Sequence, residues 1–221
     1  MKLRKSLLFI LLALPLLFVS AQQQQQPGGQ SRGGRSSEEY IKLLESERRI
    51  DGLQVDKVVE ALKVRPDDRV CDLGAGSGLF TRPLARKAGG KGVVYAVDID
   101  KGLLEHISER AKSLGIGNIK TVLGTFTDPS LPVKNVDVAL INDVLHHIEA
   151  RGEYLKNLAR YLGPGGRIAV VDFKPGQGGH AKQPEQQISK EQAAEWMNAA
   201  GLKVAEDVDL FPDKWFVIYS R

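Results

Sequence analysis

One cysteine, Cys71, occurs in 221 residues. No intrachain disulfide can form, and no group of thiolates can hold zinc. Aromatic residues make up only 6% of the chain and never interleave with a basic stripe, so the usual footprint of a nucleic-acid binder is missing. Surplus charge is small as well. Of the four net positive charges, three come from Lys2, Arg4 and Lys5 at the extreme N-terminus. There are four histidines, and only His146 and His147 are adjacent. Side chains next to each other in sequence point in different directions, so this pair alone makes a poor metal site, and no metal is expected. The longest apolar run, Leu7 to Val19, has about 13 residues against the roughly 20 needed to span a bilayer.

What remains is an ordinary globular composition, with 42% hydrophobic and 26% charged residues. The length suits one domain with a leader. Met1 to Lys5 is basic, Leu7 to Val19 is apolar, and Val19-Ser20-Ala21 places small residues before a cut. That order is a secretory signal over residues 1–21. Residues 22–37, rich in Gln, then Gly, Ser and Arg, read as a disordered linker that cannot bury enough surface to fold. The folded domain is expected over 38–221, opening with a helical cap. The leader implies an exported chain, periplasmic or secreted. If uncut, it would be an anchor in the inner membrane, the one route to a membrane that the sequence offers.

Within the domain the pattern is helical from Ser37, read as a cap, and again over about Val55 to Leu62. Strands and helices then alternate. Strands are expected at Arg69–Leu73, Gly92–Val97, Ile119–Leu123, Val136–Ile141 and Arg167–Asp172. Helices are expected at about Phe80–Ala88, Leu103–Leu114, Arg151–Tyr161 and Ser189–Ala200. Alternation of this kind gives parallel strands with helices on both faces. Two closing strands, about Lys203–Leu210 and Trp215–Ser220, flank a turn at Pro212-Asp213 and should pair antiparallel.

The central motif is Val70-Cys71-Asp72-Leu73-Gly74-Ala75-Gly76-Ser77-Gly78. It joins a strand to a helix at the carboxyl end of the first strand, where open α/β sheets bind ligands. Gly74 and Gly76 permit a tight turn and close backbone approach, and Gly78 close packing of the next helix. Dinucleotide sites favour G-x-G-x-x-G, with pyrophosphate on the helix end. Here the glycines run G-x-G-x-G, and Asp72 precedes them. A carboxylate there repels pyrophosphate and suits a cationic ligand such as S-adenosylmethionine (SAM), which carries an ammonium and a sulfonium. Asp98 ends the second strand, about 20 residues beyond Gly78, where an acid accepts hydrogen bonds from ribose hydroxyls.

With these motifs in place the chain resembles the class I SAM-dependent methyltransferases, in particular their small-molecule branch related to the ubiquinone/menaquinone enzymes. The resemblance runs from about Gln54 to Arg221. It rests on Val70–Gly78, Tyr95–Asp98, the fourth-strand run Asn135–Ile148, and Leu162–Asp172. It implies a Rossmann-like α/β fold: a seven-stranded sheet, mostly parallel, with an antiparallel last strand. It also implies that Asp72, Gly74, Gly76 and Gly78 form the methionine side of the pocket. Asp98 would hold the ribose, Ile99 would lie on the adenine, and Asn142 would sit near the methyl end. After the third strand the family often has Gly-Asp-Ala. Here Thr125 replaces the acid, Phe126 could stack on the adenine, and Asp128 could reach it instead.

Methyl transfer needs alignment more than covalent help, plus removal of a proton from some acceptors. His146, His147 and Asp143 are the candidate bases, with pocket-wall or helix-capping roles as alternatives. Cys71 reads as a core residue, Asp137 as the entry to the fourth strand, and His106 as a solvated helix face. Trp196 and Trp215 read as core. The loop Lys174 to Gln187, which holds His180, could close over an acceptor. The expected activity is transfer of a methyl group from SAM to a small-molecule acceptor. The alternatives are a noncatalytic module that binds SAM or adenosine, and an NAD-type oxidoreductase. SAM is made in the cytosol, so an exported enzyme needs either a retained anchor or cofactor outside; a different ligand is the third possibility.

Overall fold

The computed structural model describes residues 36–221. The expected leader and nearly all of the expected linker lie outside the described residues. Three short helices come first: α1 (Ser37–Leu44), α2 (Glu47–Leu53) and α3 (Val55–Ala61). Ser36 caps α1 in a reciprocal box with Glu39, one residue before the expected cap. The expected cap, Ser37, instead donates its hydroxyl to Asp100 at 3.0 Å. Helix α2 was not foreseen, because Glu47-Arg48-Arg49-Ile50-Asp51 is too polar to show an apolar stripe. A left-handed Gln54 (φ 44°) separates α2 from α3.

The alternating part follows as β1 (Arg69–Leu73), α4 (Thr81–Ala88), β2 (Val93–Asp98), α5 (Lys101–Ser113), β3 (Ile119–Leu123), β4 (Val136–Asn142), α6 (Arg151–Ala159), β5 (Leu162–Phe173), α7 (Lys190–Ala199), β6 (Lys203–Asp207) and β7 (Lys214–Ser220). A single seven-stranded sheet has the order β3-β2-β1-β4-β5-β7-β6. Strands β1 to β5 run parallel to one another, and β7 runs antiparallel to both β5 and β6. The expected Rossmann-like sheet with its terminal hairpin is what forms. Strand β5 starts five residues earlier than the sequence suggests. Leu162 already pairs with Val136, and a register shift before Val138 lets the strand run through Pro164-Gly165-Gly166.

Strand alternation divides the core into two layers. Along β4, Ala139 and Ile141 pack with Leu155 and Leu158 of α6 and Met197 of α7. Val138 and Leu140 pack on the other face with Val58, Val59 and Leu84. Fully burying a Leu, Ile or Val contributes about 1.5–3 kcal/mol each, so both faces are firmly held. Trp215 is in the core as expected, whereas Trp196 is half-buried beside Gly152 and Arg151. Asp137 accepts the Arg69 backbone N–H at 2.7 Å, which ties the start of β4 to β1 as expected. No helix among the described residues is long and apolar enough to cross a membrane.

Candidate functional site

Reversal of strand order between β1 and β4 opens a crevice at the carboxyl ends of the parallel strands. The glycine loop forms one wall. Gly74 and Ala75 both donate their N–H to the carbonyl of Val97, at 2.8 and 3.0 Å. Gly76 donates to Asp98 Oδ2 at 2.9 Å. Both glycines have positive φ, 68° and 57°, a region that L residues with a Cβ avoid. A Cβ at Gly74 would lie 2.3 Å from Val144 Cγ2. A Cβ at Gly78 would lie 3.0 Å from Ile107 of α5 and 3.5 Å from Arg82 of the helix that follows the loop.

The sequence-predicted residues converge here. Asp72, Gly74, Gly76, Asp98, Ile99, Thr125, Phe126, Asn142, Asp143 and His147 all line one pocket. Gly78 lies behind the wall, and so does His146. Asp98 is fixed by two backbone donors, Gly76 at Oδ2 and Asp100 at Oδ1. Ile99 and Phe126 keep apolar surface exposed at the rim, 36% and 79% respectively. Exposed large hydrophobics beside a pocket suit a flat aromatic ligand. Thr125 stands where the family often has the acid, and it lines the pocket. Its hydroxyl closes a local turn with Asp128. Asp128 is not among the lining residues: its carboxylate accepts from the Tyr161 hydroxyl and the Ser130 N–H, so the adenine contact suggested for it is not made from this position. Burial and this bond push the Tyr161 phenol up to about 12.

The electrostatics favour a cation. Asp72, Asp98, Asp100 and Asp143 line the pocket, with Arg49 as the one Arg or Lys among the lining residues. Asp72 is buried and accepts from the Thr81 hydroxyl. Burial, reinforced by the nearby Asp98 charge, pushes its carboxyl up to about 6, the Thr81 bond notwithstanding. Asn142 is 9% exposed, and its Oδ1 has no hydrogen-bond partner among the described residues. A buried acceptor without a donor costs about 1–3 kcal/mol, which an ammonium at that spot would offset. The glycine cradle and this acceptor fit the methionine end of SAM.

The raised Asp72 carboxyl has a measurable consequence. Its native form resists ionisation more than the unfolded chain does, so stability should fall as pH rises from about 3.8 to about 6. The loss is about 3 kcal/mol for a shift of this size. A bound cation should reverse the trend. Thermal unfolding of the ligand-free protein across that window should show the decline, and Asp72→Asn should remove it. An unchanged slope in the variant would refute the assignment.

The candidate bases separate. Asp143 is buried with φ 54° and pairs with Lys214 at 2.9 Å; Arg49 approaches it at 3.7 Å. Its charge is already matched, and it caps no helix, since Val144 stands at the start of the short turn after β4. His146 is 5% exposed and its Nδ1 lies 2.7 Å from Asp172 Oδ1. Asp172 also accepts from the backbone of His146 and Phe173. His147 faces the pocket. Tyr154 lines it too, and burial drives its phenol far up, so it stays protonated. Cys71 is buried, and burial raises its thiol strongly. His106 is not the solvated residue expected: it is only 26% exposed and sits 3.5 Å from Glu45.

Sequence reasoning did not find Arg49, Tyr40 or Leu44, which bring α1 and α2 over the pocket; only a general cover by this stretch was foreseen. It did not find Lys214 or the role of Asp172 either. These residues reach the site only through tertiary packing.

A methyltransferase-domain family model matches residues 65–210. A ubiquinone/menaquinone biosynthesis C-methyltransferase, UbiE, of Ectopseudomonas mendocina is 30% identical over 155 residues, covering 69% of this chain and 59% of the relative. UbiE of Vibrio vulnificus is 31% identical over 116 residues, covering 52% of this chain and 45% of the relative. The chain therefore spans less than two thirds of the length of these curated relatives. Among solved structures, a SAM-dependent methyltransferase from Aquifex aeolicus superposes with a TM-score of 0.75 at 23% identity, over 84% of this chain and 98% of the other. The cyclase SpnF superposes with a TM-score of 0.64 at 16% identity, over 76% of this chain and 79% of the other. At these identities both likenesses speak to the fold alone.

Proposed function

Because the chain belongs to the class I SAM-dependent methyltransferases, we propose that it transfers the methyl group of SAM to a small-molecule acceptor. The observation that carries this reading is the buried, unpartnered Asn142 Oδ1 at the end of β4, on a residue that lines the pocket bounded by the glycine loop and Asp98. Asp98, a carboxylate with about four lone-pair sites, accepts from the ribose hydroxyls. Ile99 and Phe126 enclose the adenine. Asn142 and Asp72 receive the ammonium, and Arg49 the carboxylate. Val144, His147 and Ile148 line the end of the pocket that the sulfonium would face, and the acceptor would enter there.

SAM supplies an activated methyl group; the chain supplies alignment and exclusion of water. Arg49 and Leu44 from the N-terminal helices cover the pocket and hold the methionine end. Val144 packs on the glycine loop and sets the distance between cofactor and acceptor. The acceptor's proton leaves at the histidine end, where His147 lines the wall and the Asp172–His146 pair stands behind it.

Incubation with methyl-labelled SAM and a panel of small phenols, hydroquinones, thiols and amines tests this. Label should move onto at least one acceptor class, with release of the demethylated cofactor. Tight SAM binding with no transfer to any class would favour the noncatalytic reading.

The order of basic, apolar and small residues over 1–21 supports export to the periplasm or beyond. N-terminal sequencing of the mature chain should start at Gln22. A start at Met1 would favour the anchored form instead.

A further inference from the structure

His146, His147 and His180 each offer a ring nitrogen, and these nitrogens lie within 4.8 Å of one another. We propose that these three imidazoles bind a divalent transition-metal ion of the zinc class. The expectation that His146 and His147 make a poor metal pair considered those two alone. The third ring comes from the loop after β5, and the ring centroids stand 4.0, 5.0 and 5.1 Å apart.

Two of the rings have their tautomer fixed by a hydrogen-bond acceptor at Nδ1. Asp172 is a carboxylate acceptor 2.7 Å from Nδ1 of His146, so that nitrogen carries the proton. Gln183 Oε1 lies 2.7 Å from Nδ1 of His180 and fixes that ring in the same tautomer. In each neutral ring Nε2 is then left with a lone pair. A carboxylate or carbonyl behind a ligating imidazole is the recurrent outer-shell arrangement at metal sites; it fixes ring orientation and raises donor strength. Asp172 is itself held by the backbone N–H groups of His146 and Phe173.

The framework is fastened as well. Arg151 donates to the carbonyls of Leu145 and His146 on one side and of Glu185 on the other. Gln187 binds the Ala181 carbonyl and the Gly176 N–H. The loop that carries His180 is thus sewn to the turn that carries His146 and His147. The expectation of a loop closing over the site is met by a loop already tied down.

Imidazole donors suit zinc, cobalt, nickel or copper and not magnesium or calcium, which take oxygen ligands. Three protein ligands leave a fourth position open, the pattern of a reactive rather than a structural site. His147 lines the pocket, so the ion would sit beside the acceptor end. The role of the ion, unlike its binding, rests on the methyltransferase reading. An acceptor hydroxyl bound to it gives its proton to solvent. Its oxygen then forms the bond to the methyl carbon while the carbon–sulfur bond breaks, the electron pair staying on sulfur.

The test uses the full chain without an affinity tag, stripped with a chelator and titrated with Zn2+ and, separately, Co2+. One ion per chain should bind, and Co2+ should give the visible absorption of a low-coordinate nitrogen site. His180→Gln and His147→Gln should each weaken binding by more than the 10–100-fold typical of losing an outer-shell partner. Absence of stoichiometric binding, or equal binding by both variants, would overturn the proposal. SAM binding by His180→Gln, measured on the same samples, should match the parent. If metal binds while SAM does not, the methyltransferase reading falls and the metal site stands.

Discussion

Asp98→Ala should weaken SAM binding by about 100-fold or more. The carboxylate is read as accepting two ribose hydroxyls, and hydrogen bonds to a charged group contribute about 1.5–3 kcal/mol each, so their loss alone accounts for that factor. Asp98 also receives the Gly76 N–H at 2.9 Å, and the loop loses that tether. Asp98→Asn keeps the shape and one acceptor oxygen, and about a tenfold loss is expected of it. A second readout is independent of the ribose. The Asp98 charge helps to raise the Asp72 carboxyl, so in Asp98→Ala the pH midpoint near 6 should move down. Calorimetric titration of both variants at several pH values checks the two effects together. Parent-like affinity in Asp98→Ala would show that the nucleoside does not lie against β2.

Lys214→Met should destabilise the fold by about 3 kcal/mol, at the lower end of the range for breaking a buried ion pair from one side. Lys214 is 5% exposed, between the rings of Phe173 (4.5 Å) and Phe211 (5.5 Å), and its ammonium meets Asp143 at 2.9 Å. Without it a buried carboxylate keeps only Arg49, 3.7 Å away, which moderates the loss. For a domain of this size that is about a 6–12 °C drop in Tm. The double variant Lys214→Met/Asp143→Asn should recover most of it, because the charge is gone and Asn tolerates the φ of 54° at that position. If the double variant is as unstable as the single, the penalty lies in packing around the lysine stem and not in the unpaired charge.

These two residues mark where sequence reading reached and where it stopped. The place of Asp98 in the pocket was legible because it follows from local order: a strand ending in an acid, a fixed distance after a glycine loop. The seven-stranded sheet was legible for the same reason, since strand and helix periods alternate along the chain. Lys214 was not legible. It opens the last strand and meets Asp143 from 71 residues away, and no local pattern announces such a pair. His180 met His146 and His147 in the same way, through a loop whose path is set by Arg151 and Gln187 and not by its own composition. Arg49 lies in a short helix whose polar run hides its packing. Asp128 shows the opposite error: an acid in a plausible place, drawn off by Tyr161 and the Ser130 N–H.

The proposed activity depends on the pocket's choice of a cationic nucleoside over a phosphorylated one. Calorimetric titration of the full chain with SAM, its demethylated product and NAD, side by side at neutral pH, measures that choice directly. The first two should bind with one site per chain and NAD should give no saturable heat. Saturable binding of NAD with SAM inert would place a pyrophosphate at the Gly74–Gly78 turn and contradict the account.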